Sequence, residues 1–567
     1  SFLYGTLSPE RLLEQAKKHG IERFVLTDIN NTSACLQISR LSKSLNMEVI
    51  LGIDFRNQIQ QQFIGISKNQ DGFEKLNRLL SAHLKSELPF ADKCDIREDV
   101  FIIYPFNPNK NYELDENEFI GINHKDLHYL SLKKWNRYHN KLVILHPVTF
   151  FDKDDYQLHK LLRAIADNTI LSKIKTEDLA FADEVFFDEF EFIHHYKTHP
   201  QIIENTFNLL ADCNIIDFDF NQHKNKSIID AHPDKETARE NDYKTLEKLA
   251  YNGARVRYKT ISQKVKDRLE KELALIRSQK FVPYFLINHE IISFAREKGF
   301  YYIGRGSGAN SVVAYCLRIT DVDPIELDLY FERFINLYRK NPPDFDIDFS
   351  WDERDDITDY IFKRYGQQYV ALLATYNTFQ RKAAIRELGK VYGLPKGEID
   401  KLVIKQEQGA PHRHELEPTI MYYAERLLDK PNHLSIHAGG VLISEEPLSY
   451  HTACMLMPKG FPVTHFDMHH AESLGFHKFD VLSQRGLGHI KDAVSLIRQR
   501  HKQDVDIHDI KLLKNDPQSI SLLRSAKCLG CFYIESPAMR GLLRKLHCDN
   551  YIHLVAASSI IRPGVSS

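Results

Sequence analysis

The segment PDFDIDF sets Asp344, Asp346 and Asp348 at alternate positions. On a strand, alternate side chains share a face. Three carboxylates side by side repel unless a cation lies among them. A divalent ion is the natural solution, because Mg²⁺ takes oxygen ligands and is often held by one or two carboxylates plus substrate phosphates. The intervening Phe345, Ile347 and Phe349 would face a core. The plain alternative is an acidic edge strand facing water, but aspartate is a poor strand former. Asp480, in HKFDVLS, sits singly between Phe479 and Val481, a setting more often found for surface residues.

Upstream, Ile303 is followed by GRGSGANS and an apolar helical run over 312–317. A glycine-rich loop that opens a helix offers backbone N–H groups and the positive helix end to an anion. Gly304, Gly306 and Gly308 permit close backbone approach, Arg305 suits bidentate phosphate contact, and Ser307 and Ser311 can donate from their hydroxyls. A plain turn would carry the same glycines. Arg333, in FERF, falls between this loop and the carboxylate strand. Triphosphate grip and metal ligands together imply nucleotidyl transfer. In NTFQRKAAIRELGK, Arg381 precedes Lys382, Arg386 and Lys390, which recur every four residues on one helical face. Such a face either tracks a phosphodiester backbone or is simply solvated.

Residues 1–213 read as an α/β domain. A helix over 9–20, strands over 24–26, 48–53 and 141–145 and a helix over 156–166 imply a largely parallel sheet or barrel. Residues 214–240 are a polar domain entry. Helical stretches over 244–278 and 281–298 lead to a strand over 300–303, residues 351–435 read as mostly helical, and strands follow over 437–444 and 475–482 before a helix over 488–499. The 567 residues suggest about three to five domains. A 43% hydrophobic and 27% charged composition is that of a soluble globular protein. The net charge of −2 does not advertise nucleic acid, although a neutral total hides local basic stripes. No apolar run approaches the roughly 20 residues of a membrane span, and the first residues lack a signal-peptide layout. The eight cysteines are scattered, which suits a reducing cytoplasm. The CxxC pair Cys528 and Cys531 has only His547 and Cys548 nearby as further zinc ligands, and GCFYIES reads instead as a half-buried strand.

Taken in order, GRGSGANSVVAYCLRITDVDP, LYFERFIN, PPDFDIDFS, HAGGVLIS, HKFD, GCFYIESPAMRGLL and IIRPG resemble the bacterial DNA polymerase III alpha subunits, the C family of replicative DNA polymerases. The resemblance implies a multidomain α/β and α+β fold: a PHP-like (polymerase and histidinol phosphatase) α/β barrel over 1–213, a nucleotidyltransferase-type palm with a mixed sheet over 214–375 and 437–485, a helical thumb over 376–436, and the start of the fingers over 486–567, where the family pattern is cut short. It implies that Asp344, Asp346 and Asp480 are catalytic and hold two Mg²⁺ ions. Gly304, Arg305, Gly306, Ser307, Arg333 and Lys478 would bind dNTP phosphates, and Arg381, Lys382, Arg386 and Lys390 the DNA. The implied partners are primer–template DNA, dNTPs, the sliding clamp, clamp-loader subunits and a separate proofreading exonuclease on the PHP-like domain, with no membrane. In that domain Ile29 follows Asp28 where active members carry Asp-His, Asp54 replaces a Glu, and HPVTF replaces an Asp-x-His pair. A metal-free scaffold is therefore expected there. A nuclease in residues 1–213 and a non-catalytic scaffold are the competing readings.

Overall fold

The structure, a computed structural model, describes residues 1–220, 222–336, 341–408 and 415–561. The chain divides into two compact units, Ser1–Lys226 with Phe362–Lys478, and Ser227–Ile361 with Phe479–Ser567.

In the first unit, strands Arg23–Ile29, Glu48–Asn57, Gln60–Ser67, Val100–Pro105, Glu118–Ile122 and Leu142–Ile144 form a six-stranded sheet paired in chain order. It curls into a half barrel. The first pair and the last two pairs are parallel, but Glu48–Asn57, Gln60–Ser67 and Val100–Pro105 run antiparallel to one another. The sheet is thus mixed rather than largely parallel. The cause is local: a two-residue link at Gln58 and Ile59 can join only antiparallel strands, and Gln58 takes the positive φ of 57° that a tight hairpin needs.

Helices Pro9–Lys18 and Cys35–Leu45 bury Leu13, Ala16, Leu36 and Ile38. The same core receives Leu373, Leu442, Phe466 and Phe476 from the unit's second segment. There, strands run in the order Cys454–Leu456, Pro462–Asp467, Val370–Thr378, Pro431–Ile443. Val370–Thr378 falls in the stretch expected to be mostly helical. Its first five residues are all buried, so VALLA shows no alternation, and a short apolar run cannot be told from a buried helix by periodicity.

Helices Arg381–Val391, Lys396–Gln408 and Glu417–Leu427 fill the span between the two central strands. Their Leu388, Leu402 and Leu427 close a core with Leu158, Leu161 and Leu162 of helix Lys153–Ala166. An ion pair pins this contact: the Arg426 guanidinium donates to Asp155, which is fully buried and also accepts from Thr6 Oγ1 at 3.2 Å and Phe151 N at 3.1 Å.

In the second unit, helices Lys235–Tyr258, Gln263–Ser278 and Val282–Glu297 precede a three-stranded sheet. Strand Asp346–Ser350 lies in the middle, antiparallel to Tyr302–Arg305 and parallel to Phe479–Gln484. Helix Arg485–His501 and four shorter helices follow. GCFYIES is not a strand: Gly530 and Tyr533 have φ of 79° and 71°, which break extended backbone. Cys528 and Cys548 are buried in the core of this helical region and Cys531 is exposed. No helix among the described residues is long and apolar enough to cross a membrane.

Arg426→Ala removes one partner of a buried ion pair, which typically costs about 3–5 kcal/mol. A lowered thermal unfolding midpoint, measured by calorimetry, is the expected outcome.

Candidate active site

The three-stranded sheet decides where the acidic residues go. Asp346 faces Asp480 in register on the parallel neighbour, and Arg305 in register on the antiparallel neighbour. Directly paired residues put their side chains on one face. A row Arg305–Asp346–Asp480 therefore crosses three strands. Phe345, Ile347, Phe349 and Phe479 are buried, as the alternation requires. Asp348 and Asp480 are themselves buried, whereas Asp346 is half-buried. Asp344 departs from the expected strand. The strand starts at Asp346, and Asp344 lies exposed in the segment before it.

The glycine-rich turn fixes that segment. Ser307 Oγ accepts from Asp344 N at 3.0 Å, and Gly308 N donates to the Asp344 carbonyl at 2.9 Å. Gly306 has φ of 94°, and a Cβ there would lie 2.6 Å from the Asp344 carbonyl oxygen. A Cβ on Gly304 would lie 1.8 Å from the Ile319 carbonyl oxygen. Both positions exclude any side chain, so the turn and the acidic segment are one rigid piece.

The helix after the turn corrects one expectation. It spans only Val312–Cys316, and its N-terminus already holds an internal anion. The fully buried Glu272 carboxylate accepts from Ser311 Oγ at 2.8 Å and Val313 N at 3.2 Å, and pairs with Arg268 at 2.6 Å. This helix end, with the Ser311 hydroxyl expected to serve a phosphate, is thus already engaged by an internal carboxylate.

The sequence did not single out Tyr284. Its ring is stacked on Phe345 with centroids 5.5 Å apart and packs on Phe479 at 5.0 Å. Its hydroxyl oxygen lies 3.4 Å from Phe345 N. One buried side chain thus supports both acidic strands from beneath. Burial, then the charges of Asp344, Asp480 and Asp346, push this hydroxyl's pKa well above its ordinary value. The only sequence signal was a tyrosine in an otherwise apolar helical turn, VPYFL, since a buried tyrosine hydroxyl seeks a partner.

The side-chain oxygens of Asp346 and Asp348 point to Arg305, whose Nη1 and Nε lie 2.7 Å from each in turn. Among the described residues no group of three or more His, Cys, Asp or Glu side chains is arranged around a metal position. The donor set nonetheless suits a hard divalent ion, being carboxylates brought to one face by strand register.

Other expected site residues are more dispersed. Arg333 is exposed, with its guanidinium 5.4 Å from the Phe334 ring centre. Lys478 is the last residue of the first unit, two positions before Asp480. Arg381 pairs with Glu425, Arg386 with Asp400 at 2.6 Å, and Lys390 with Glu387 at 2.7 Å. The basic helical face is thus partly neutralised by its own acidic neighbours, with Lys382 exposed. In residues 1–213, Asp54 is buried and held by Arg56 at 2.7 Å and by Gln61 at 2.9 Å. His146 Nε2 lies 2.8 Å from the Val185 carbonyl, and burial lowers the ring's pKa.

Three family models match the sequence in the same order as these parts. They are the PHP domain over residues 1–113, the bacterial DNA polymerase III alpha NTPase domain over 244–483, and the bacterial DNA polymerase III alpha subunit finger domain over 486–567. The chain belongs to the bacterial DNA polymerase III alpha family. The error-prone DNA polymerase of Symbiobacterium thermophilum is 30% identical to this polymerase-family chain over an alignment of 635 residues, which covers 100% of the chain and 57% of the relative. The DNA polymerase III subunit alpha of Bacillus subtilis is 29% identical, with 100% and 54% covered. The error-prone DNA polymerase of Vibrio vulnificus is also 29% identical, with 100% and 58% covered. The chain spans little more than half the length of the curated relatives it matches.

Gly306→Ala in this family member forces an alanine into positive φ, at roughly 1–2 kcal/mol, and drives its methyl group against the Asp344 carbonyl. Urea unfolding should show a loss of at least that size.

Proposed function

We propose that the chain carries the catalytic core of a template-directed DNA polymerase, which joins a dNTP to a primer 3′-hydroxyl and releases pyrophosphate. The observation that carries this reading is the in-register pairing of Asp346 with Asp480 beside a rigid glycine turn. Asp344, Asp346 and Asp480 would hold two Mg²⁺ ions. Such a pair lowers the pKa of the attacking hydroxyl and stabilises the charge on the leaving group. Gly304, Arg305, Gly306 and Ser307 lie on the turn fused to Asp344, where backbone N–H groups, a guanidinium and a hydroxyl can grip the triphosphate. Arg333 and Lys478 would add positive charge to the same anion. Tyr284 positions the acidic strands and touches no substrate. Base pairing with the template selects the nucleotide.

The domain boundaries proposed are residues 1–213 for the PHP-like part, 214–375 and 437–485 for the palm, 376–436 for the thumb and 486–567 for the fingers. Arg381, Lys382, Arg386 and Lys390 are the thumb candidates for DNA phosphate contacts, and Lys382 is exposed on that helix. The PHP-like part would act as a metal-free scaffold, with Arg56 on the carboxylate of Asp54, and as the seat of a separate proofreading exonuclease. A role in the cytoplasmic replicase, with the sliding clamp and clamp loader, is proposed from the resemblance to the DNA polymerase III alpha subunits. The error-prone name of other relatives points to the same reaction, and a mismatch-incorporation assay separates the two roles.

Mg²⁺-dependent primer extension should fall by several orders of magnitude in Asp346→Asn, with circular dichroism unchanged. Extension that survives this substitution refutes the assignment. Lys382→Ala should weaken primer–template binding alike for all sequences and reduce the log–log salt slope by about 1, read by fluorescence anisotropy across a salt series. An unchanged slope removes Lys382 from the interface.

A further inference from the structure

Two carboxylates, those of Asp346 and Asp348, are bridged by one guanidinium, and Asp480 lies in register with Asp346 on the next strand. Arg305 Nη1 lies 2.7 Å from Asp346 Oδ2, Nε lies 2.7 Å from Asp348 Oδ2, and Nη2 lies 3.4 Å from Asp348 Oδ1. The Asp348 side chain is only 8% exposed and that of Asp346 23%, whereas the Arg305 side chain is 51% exposed. The acids are thus held by the fold, and the arginine is the member free to swing outward. Its root is fixed by backbone alone. Arg305 ends a strand in register with Asp346, and Gly306 next to it is locked by its positive φ and its approach to Asp344.

We propose that Arg305 is a displaceable counter-ion. In the metal-free chain it bridges Asp346 and Asp348 and offsets their repulsion. A divalent cation competes with it for Asp346, and the guanidinium then released turns outward to an anionic ligand such as a triphosphate. This inference rests on the assignment of Asp344, Asp346 and Asp480 as metal ligands. It adds that Arg305 opposes metal binding, so that loss of Arg305 tightens metal affinity while impairing triphosphate contact. Arg305 is a positioning residue for the acidic strand in one state and a ligand-binding residue in the other.

The test titrates Mn²⁺ into the full chain, without DNA or nucleotide, and reads bound metal by electron paramagnetic resonance. Arg305→Gln should tighten Mn²⁺ binding by about tenfold, the effect of removing one hydrogen bond between charged groups from the competition. Arg305→Lys keeps the charge but cannot bridge two carboxylates, and should fall between the wild type and Arg305→Gln. In chelator, Arg305→Gln should also unfold at a lower temperature than wild type, and excess Mg²⁺ should abolish the difference. A merely structural arginine would leave a deficit that Mg²⁺ does not repair. If Asp346→Asn abolishes Mn²⁺ binding while both Arg305 variants bind as wild type or more weakly, the counter-ion role is overturned and the metal site stands. If Asp346→Asn and Asp480→Asn leave Mn²⁺ binding unchanged, the metal assignment is overturned, and the counter-ion role with it.

Discussion

Like charges crowded on one face of a sheet are the constraint around which the second unit is built. Two unit charges about 4 Å apart interact by about 4 kcal/mol at an effective dielectric of 20, and Asp346, Asp348 and Asp480 are brought together by neighbouring positions on paired strands. Apolar packing on the opposite face keeps them there. Tyr284 and the buried rings of Phe345 and Phe479 tie the two acidic strands from below, and the glycine turn clamps Asp344 from the side. Crowding acids in this way does not by itself stabilise the fold. The arrangement makes sense as stored affinity for positive charge.

The glycine turn and the buried Glu272 divide the anion chemistry between them. Glu272 satisfies the helix N-terminus and fixes Ser311, so the short helix Val312–Cys316 is a structural element. The N–H groups and side chains of Gly304–Ser307 are left as the candidates for an incoming phosphate.

Much of this was legible in the residues. The alternation of acid and aromatic in PDFDIDF gave the strand and its buried face, and the lone aspartate of HKFD proved to be its neighbour, which spacing alone could not say because pairing of distant strands is a tertiary fact. Asp344 lay outside the strand since the turn at Gly306 claims its backbone. Val370–Thr378 was invisible as a strand, because burial on both faces erases alternation. The Gln58 hairpin reversed part of a sheet expected to be parallel. Tyr284 and Glu272 could not be found from sequence, for each matters through what it touches across the fold. The basic helical face was legible, but its pairing with Glu425, Asp400 and Glu387 was not.

The first unit is assembled from two stretches of chain separated by the whole of residues 227–361. Its core joins Leu13, Ile38 and Phe73 to Leu373, Phe466 and Phe476. On a ribosome that adds roughly 5–20 residues per second, the amino-terminal sheet emerges well before the strands that cover its helices. For many seconds the core of Leu13, Ile38 and Phe73 lacks Leu373, Phe466 and Phe476, and the apolar surface these cover stays exposed. Exposed apolar surface of this kind is what holdase chaperones recognise, so production of the protein depends on protecting a half-finished nascent chain as much as on the stability of the finished one.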